Sequence, residues 1–509
     1  MPSTIDQLVR FRARHDADTP MVIDPTARIS YRELDATTRE LAAAFVEAGV
    51  GKGTRVGLIM PNGTRWVQIA VALTRIGAVL VPLSTLLQAA ELVAQLRVAA
   101  VQFLVSVEEF RGHRYLDDLK TVPESEIPAL QRVWSADQLE NAPASDRARR
   151  IIDAMTETVT PADPLVIMFT SGSSGSPKGV LHSHGNALGA VQSGLAARCI
   201  TGETRLYLPM PFFWVGGFGS GILSVLLAGA TLVTEEIPRP EATLRLLERE
   251  RVTLFRGWPD QAEALARHAG SVGVDLSALR PGSLEALLPP EQRARPGARA
   301  TLFGMTEAFG PYCGYPADTD MPATAWGSCG KPFPGMEVRI VDPDSGMPVA
   351  AGTPGMIQIR GPHTLRGICG RRREELFTPD GFYSTGDLGH LDEQGFLFYH
   401  GRSDDMFKVS GATVYPSEVE RALRALDGVD HAFVTNVPGA AGERVGAAVV
   451  CGDALTRDRL HASARKLLSA FKVPTVWLLL DSDDDVPRGG TGKVDVRRLR
   501  EMLIDANQA

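Results

Sequence analysis

Lysine is scarce in this 509-residue chain. Eight lysines (Lys52, Lys120, Lys178, Lys331, Lys408, Lys466, Lys472 and Lys493) stand against forty-five arginines, so arginine carries the general surface charge. A lysine kept inside a motif is then expected to be one that arginine cannot replace. Cysteine is scarce too: five, at 199, 313, 329, 369 and 451, odd in number and without a CxxC pair. That excludes a disulfide framework or zinc ribbon and fits a reducing compartment. Excess positive charge is missing, with a net charge of −7 and a pI near 5.9. An extended nucleic-acid face is thereby excluded, although a small anion in a local pocket is not. Long apolar runs are missing as well: the longest, around residues 222–233, is too short to span a bilayer. The N-terminal stretch MPSTIDQLVRFRARHDADTP is charged throughout and holds no signal core. These absences point to a soluble, cytoplasmic protein with no transmembrane segment and no nucleic-acid partner.

What is present is ordinary globular composition, 44% hydrophobic and 22% charged, with glycine at 50 residues. Helical periodicity over 31–50 and 66–76 alternates with apolar strands at 55–60, 78–82 and 165–169, the pattern of an α/β domain with a largely parallel sheet. A Gly/Ser loop and a helix near 186–197 follow the last strand. From about 338 the texture becomes short strands with Asp-Gly turns, as in GFYSTGD and GFLFYHG. Beyond 401, the string SEVE at 417–420 matches a capping box opening a helix toward Leu426. Strands at 431–436, 446–450 and 476–480 and a helix over 460–468 then complete a small α+β domain. The acidic residues at 481 and 483–485 read as a solvated loop.

Chemistry is concentrated in a few strings. TSGSSGSPKG at 170–179 follows a buried strand; its small residues expose N–H groups, its hydroxyls add donors and Lys178 adds a cation, the parts of a phosphate cradle. On residues alone it is otherwise a flexible connector. It is not a Walker A loop, because Pro177 stands where glycine is required. His182 and His184 lack the acidic or thiol companions of a metal site, which favours a structural role or a contact beside this loop. FGMTE at 303–307, STGD at 384–387, GRSDD at 401–405 with KVSG at 408–411, and PRGGTGK at 487–493 complete the set.

In this order and spacing the five strings resemble those of the ANL adenylate-forming superfamily, which includes acyl-CoA synthetases, luciferases and peptide-synthetase adenylation domains. The resemblance covers nearly the whole chain. It implies a large N-terminal domain of α/β layers over 1–401, with a β-barrel-like antiparallel subdomain near 330–401. A hinge at 402–405 and a small mobile α+β domain over 406–509 would follow. It implies ATP, Mg²⁺ and coenzyme A as cofactors. Thr170, Ser171, Gly172, Ser173, Ser174, Gly175 and Lys178 would hold phosphate, and Phe303, Gly304, Met305 and Thr306 would continue the nucleotide site. Glu307 would hold Mg²⁺, Asp387 the ribose hydroxyls, and Arg402 ribose or phosphate. Lys493 would bridge the substrate carboxylate and the α-phosphate. Asp404 would be the hinge, with Lys408, Ser410 and Gly411 moving in for thioester formation. By their residue types alone, Glu307 also suits a helix N-terminus, Asp387 a turn, Arg402 a linker and Lys493 an exposed loop.

Two strings depart from the family pattern. Residues 279–303 are short and lack the usual Gly-Gly-Ala-Pro-like adenine turn, leaving Pro281, Gly282 and Ser283 as a weak substitute. PFFWVGGF at 211–218 carries Trp214 where relatives commonly have histidine. Phe213, Trp214, Gly216 and Gly217 are read as an acyl pocket, with Gly219 and Gly221 adding room; the alternative for the aromatic residues is plain core. No acid follows to pair a substrate ammonium, and an unpaired buried ammonium would cost several kcal/mol, so an amino acid is disfavoured. The expectation is an acyl-CoA synthetase that converts a fatty or other apolar carboxylic acid to acyl-AMP and then acyl-CoA. The alternative is a ligase loading an acyl carrier protein. The sequence leaves monomer and homodimer open.

Overall fold

The computed structural model describes residues 2–139, 144–170, 177–403, 405, 407–409, 412–439, 442–452, 455–489 and 493–508. The chain forms two compact units, Met1–Glu337 with Ile359–Tyr383, and Val338–Gln358 with Ser384–Ala509.

The first unit is built on two sheets. The larger has seven strands in the order Gly367–Ile368, Lys178–Ser183, Pro164–Thr170, Val79–Pro82, Arg55–Ile59, Phe103–Ser106, Arg132–Ser135. Its five strands from Pro164–Thr170 onward pair in parallel, as alternating strands and helices require. Helices Tyr31–Glu47 and Thr64–Arg75 bury continuous apolar faces against it. The first opens on a capping box, Ser30 Oγ accepting from Glu33 N while the Glu33 carboxylate accepts from Ser30 N at 2.8 Å. Arg75, fully buried, ties three helices together through Asp6 at 2.7 Å, Asp35 at 2.8 Å and the Thr38 hydroxyl at 2.8 Å. The second sheet has five strands, ordered Leu254–Phe255, Arg205–Tyr207, Thr231–Val233, Pro20–Ile23, Arg28–Ser30.

The strand Lys178–Ser183 was not expected. It follows the Gly/Ser loop and runs antiparallel to Pro164–Thr170, with Thr170 opposite Lys178, so the loop joins two strands before the helix His184–Ser193 begins. Gly179 and the hydroxyl and imidazole side chains hide its strand pattern.

The antiparallel texture forms a four-stranded sheet, Glu337–Val341, Gly355–Arg360, Tyr383–Leu391, Leu397–Arg402. This sheet is open, and no closed barrel is formed among the described residues. A hairpin (Phe407–Val409, Ala412–Val414) and a three-stranded sheet (Val429–Gly439, Gly442–Cys451, Val476–Leu480) pack with helices Pro416–Arg424, Arg457–Leu467 and Val496–Gln508. The capping box read at 417–420 is corrected. Pro416 already occupies the first helical turn, Ser417 donates instead to His400 O at 2.5 Å, and Glu420 accepts from Val434 N at 3.0 Å. Lys472, which had no role in the sequence, grips Glu418 of this helix at 2.6 and 2.7 Å. No described helix is long and apolar enough to cross a membrane.

Candidate active site

Thr170 and Lys178 face each other, half-buried, across the two strands that bracket the Gly/Ser loop. Ser171, Gly172, Ser173, Ser174 and Gly175 lie outside the described residues.

The FGMTE string is a strand, Phe303–Met305, that reverses into Gly310–Gly314. The reversal is tight enough that a Cβ on Gly304 would stand 2.1 Å from Gly310 O, so no other residue fits there. The turn is a 3₁₀ segment, Thr306–Ala308, ended by Phe309 in the left-handed region at φ 54°. A phenylalanine there is strained, and the ring is held by edge contacts to His182 at 4.9 Å and Phe218 at 6.2 Å. Glu307 is buried, at 8% exposure; its Oε1 accepts from the Tyr383 hydroxyl at 3.2 Å, and its backbone oxygen from Leu365 N at 2.7 Å.

His182 sets the other side of this turn. Asn186 can only donate through its amide nitrogen, 2.7 Å from His182 Nδ1, so the imidazole proton resides on Nε2 and is donated to Thr306 O at 2.7 Å. Burial pushes the pKa of His182 down to about 4, so the ring is neutral and locked in one tautomer. Of the two roles the sequence leaves for His182, structural or a contact beside the phosphate loop, the structure shows the first, on the Thr306 backbone. Tyr383 was missed, although it directly precedes the STGD string.

The aromatic segment leaves the end of the strand Arg205–Tyr207. Asn62 holds it at both edges, donating to Met210 O at 2.9 Å and accepting from Phe212 N at 2.8 Å. Phe212 and Phe218 pack edge-on against Trp66, and Phe213 is also buried. Trp214 is half-buried, with ring contacts to Phe213 at 5.6 Å and Trp258 at 5.8 Å, the latter perpendicular. Trp258, just past the strand Leu254–Phe255, carries no motif and was not singled out. The glycines do not open space by themselves. A Cβ on Gly217 would meet Pro211 O at 2.1 Å, and one on Gly216, Gly219 or Gly221 would meet Met210, Phe309 or Leu208. They permit close packing. Ser283 likewise serves the fold, accepting from Phe255 N at 3.1 Å.

In the second unit, Asp387 and Arg402 are cross-strand partners. Arg402 Nη1 donates to Asp387 Oδ1 at 3.2 Å and to Thr385 O at 2.9 Å. Lys408 lies on the strand Phe407–Val409, opposite Thr413. Asp404, Ser410 and Gly411 lie outside the described residues. Lys493 is exposed, in a loop closed by Gly489 N donating to Lys493 O at 2.8 Å and by the Arg488–Val494 bridge.

Among the described residues no group of three or more acidic, histidine or cysteine side chains is arranged to hold a metal ion by itself. Glu307 is thus a single carboxylate, with Oε2 taking no hydrogen bond from a described residue. Such a donor suits Mg²⁺, which keeps waters and takes substrate phosphates as its remaining ligands.

Comparison with known proteins then places the chain. Residues 9–369 match the model of the family described as AMP-binding enzyme. A 3-[(3aS,4S,7aS)-7a-methyl-1,5-dioxo-octahydro-1H-inden-4-yl]propanoyl:CoA ligase of Mycobacterium tuberculosis is 32% identical, over 99% of this chain and 98% of that protein. A feruloyl-CoA synthase of an Amycolatopsis species is 30% identical, over 96% and 97%. The fold matches O-succinylbenzoate coenzyme A synthetase of Bacillus subtilis in complex with AMP at a TM-score of 0.80, with 22% identity over 97% and 98% of the two chains.

Proposed function

The chain belongs to the AMP-binding enzyme family, and from that premise we propose how its residues divide the work of an AMP-forming acid–CoA ligase. In that chemistry a carboxylate oxygen attacks the α-phosphorus of ATP and pyrophosphate leaves. The CoA sulfur then attacks the acyl carbon and AMP leaves. Both steps need negative charge to be met by preorganised donors.

The TSGSSGSPKG loop and Lys178 bind the phosphates, and Thr306 adds a contact. Glu307 holds Mg²⁺, which when bound offsets the charge of the phosphates. Glu307 is suited to this by burial and by the Tyr383 hydroxyl, which fixes one oxygen and leaves the other to the ion. Asp387 and Arg402 serve the ribose, and Lys493 meets the carboxylate and α-phosphate during adenylation only. Asp404 is the hinge, and Lys408, Ser410 and Gly411 serve the thioester step. The thiol is that of CoA, as in the names of the relatives; nothing favours a carrier protein.

The acid is apolar and carries a ring system. The observation that carries this is the perpendicular contact of Trp214, in a segment with no acidic residue from 211 to 221, with Trp258. Edge-to-face aromatic walls favour flat or fused-ring bodies. The relatives named for feruloyl and fused-ring propanoyl acids support the same class. Pyrophosphate release should be measured across amino acids, straight-chain acids, phenylpropenoic acids and fused-ring propanoic acids, for the wild type and Trp214→His. Ring-bearing acids are expected to lead, with amino acids inert. Trp214→His should reorder the acids while leaving the KM for ATP near its original value. An unchanged acid profile, or preference for an amino acid, would overturn the assignment.

A further inference from the structure

The strands Arg205–Tyr207 and Leu254–Phe255 run parallel, and the segments carrying Trp214 and Trp258 leave from their C-terminal ends. At their opposite, N-terminal ends lies a cavity of about 550 Å³ that no catalytic string reaches, lined chiefly by Arg28, Arg205, Arg249, Glu250 and Arg251. Its centre is the Glu250 carboxylate, only 4% exposed. Oε2 accepts from Arg28 at 2.7 Å and from Arg205 at 2.8 Å, while Oε1 accepts from Arg249 at 3.1 Å. Arg205 also donates through Nε to Glu250 O.

One carboxylate thus serves three guanidinium groups, each with five N–H donors. Among the described residues Arg28 and Arg249 make no other side-chain hydrogen bond, and Arg251 makes none. At the rim Arg251 acts on Asp275, exposed and engaged with Ser277, and Glu248 Oε1 accepts from Asp275 N at 2.7 Å. Four cations therefore face one buried carboxylate, Glu250, and two acids at the edge, Glu248 and Asp275. The crowding registers on Arg205, whose pKa is lowered by burial, restored in part by Glu250 and lowered again by Arg28.

The backbone brings a further arginine to this surface. The helix Pro240–Arg249 ends at Glu250, and the next residue adopts the left-handed conformation at φ 46°. Glycine normally takes that position, but here it is Arg251, one of the residues that line the cavity.

We propose that this cavity binds an anion bearing two or more linked phosphates, separate from the catalytic residues and independent of the acid the enzyme activates. Guanidinium forks match phosphate oxygens in pairs. The volume suits a small ligand, and a chain of phosphates would engage Arg28, Arg249 and Arg251 together, where a single monoanion would not.

The test is calorimetric titration of tripolyphosphate, pyrophosphate, ATP and sulfate into the wild type, the double variant R249Q/R251Q and the single variant R251G. Glu250 keeps Arg28 and Arg205 in all of them, and R251G relieves the strained backbone, so a folding defect cannot imitate loss of the site. One tripolyphosphate-binding event should weaken at least about tenfold in the double variant. It should weaken in R251G as well, with kcat and the KM for ATP unaltered in both. If the ligand is a nucleotide, ATP will show a second binding event lost in the same variants; if it is a free phosphate chain, only the inorganic anions will. Isotherms unchanged in the variants would overturn the proposal. So would sulfate binding as tightly as tripolyphosphate, with both abolished at about 0.15 M salt.

Discussion

His182 shows how much of the site rests on one neutral ring. It accepts from Asn186 and donates to Thr306 O, so it fixes the backbone that carries Thr306 and Glu307. Its pKa is about 4, against an ordinary value of 6.5, and His184, also buried, sits at about 4. As pH falls the unfolded chain takes up these protons first. The stability associated with the neutral rings is therefore complete above about pH 6.5 and is lost progressively down to about pH 4. The loss from His182 alone is roughly 3 kcal/mol. Glutamine at 182 retains a donor and an acceptor but does not titrate. Denaturant unfolding of His182→Gln between pH 7 and about pH 4 should show a smaller acid loss than the wild type, the other buried histidines supplying the remainder. An undiminished slope would refute the buried neutral histidine as its source. Nothing in the HSH string itself declares that role: the partners of His182 are 4 and 124 residues away.

At the scale of elements, the glycine-rich segment after Trp214 is where sequence and structure part most instructively. Glycines beside aromatic residues read equally as an open pocket or as close packing, and only coordinates distinguish them. The helical run is Val215–Gly217, a π turn over Phe218–Leu223 and Ser224–Ala228. Ser224 Oγ donates to Gly219 O at 3.0 Å, and buried Arg198 donates to Ser224 at 2.8 Å. Two adjacent glycines then make opposite predictions. An alanine at 217 would drive Cβ onto Pro211 O at 2.1 Å and Met210 O at 2.7 Å, backbone atoms that cannot yield separately. Its cost should approach about 3 kcal/mol. An alanine at 216 meets first the flexible Met210 thioether, at 2.7 Å, and should cost below about 1.5 kcal/mol. Chemical denaturation of Gly217→Ala and Gly216→Ala compares them directly, and equal losses would contradict the packing described. The same limit explains the missed strand Lys178–Ser183: its pattern is hidden by polar side chains that the structure buries with partners, as with His182 and Ser183.

For the whole molecule, the parallel sheet and three of its seven strands were legible because their apolar runs and spacing are continuous, as at Arg55–Ile59 and Val79–Pro82, whereas Phe103–Ser106 and Arg132–Ser135 were not read. The family was legible because its strings are contiguous, whereas Tyr383 and Trp258 act through contacts far off in sequence. The catalytic assignment that most depends on the whole chain is Lys493, exposed in its loop. As a small ammonium on a flexible stem it can meet the carboxylate and the α-phosphate in adenylation and then withdraw. Lys493→Ala should lower pyrophosphate release by about 10²–10³. It should largely spare acyl-CoA formation from a supplied acyl-adenylate. Lys493→Arg should not restore the first step, because a planar fork cannot take the place of a compact charge; this is where the scarcity of lysine becomes testable. Asp404→Pro is expected to do the reverse, leaving pyrophosphate release intact and blocking the thioester step. Equal loss of both half-reactions in Lys493→Ala would refute the division of labour, because the alanine would then remove something both steps share.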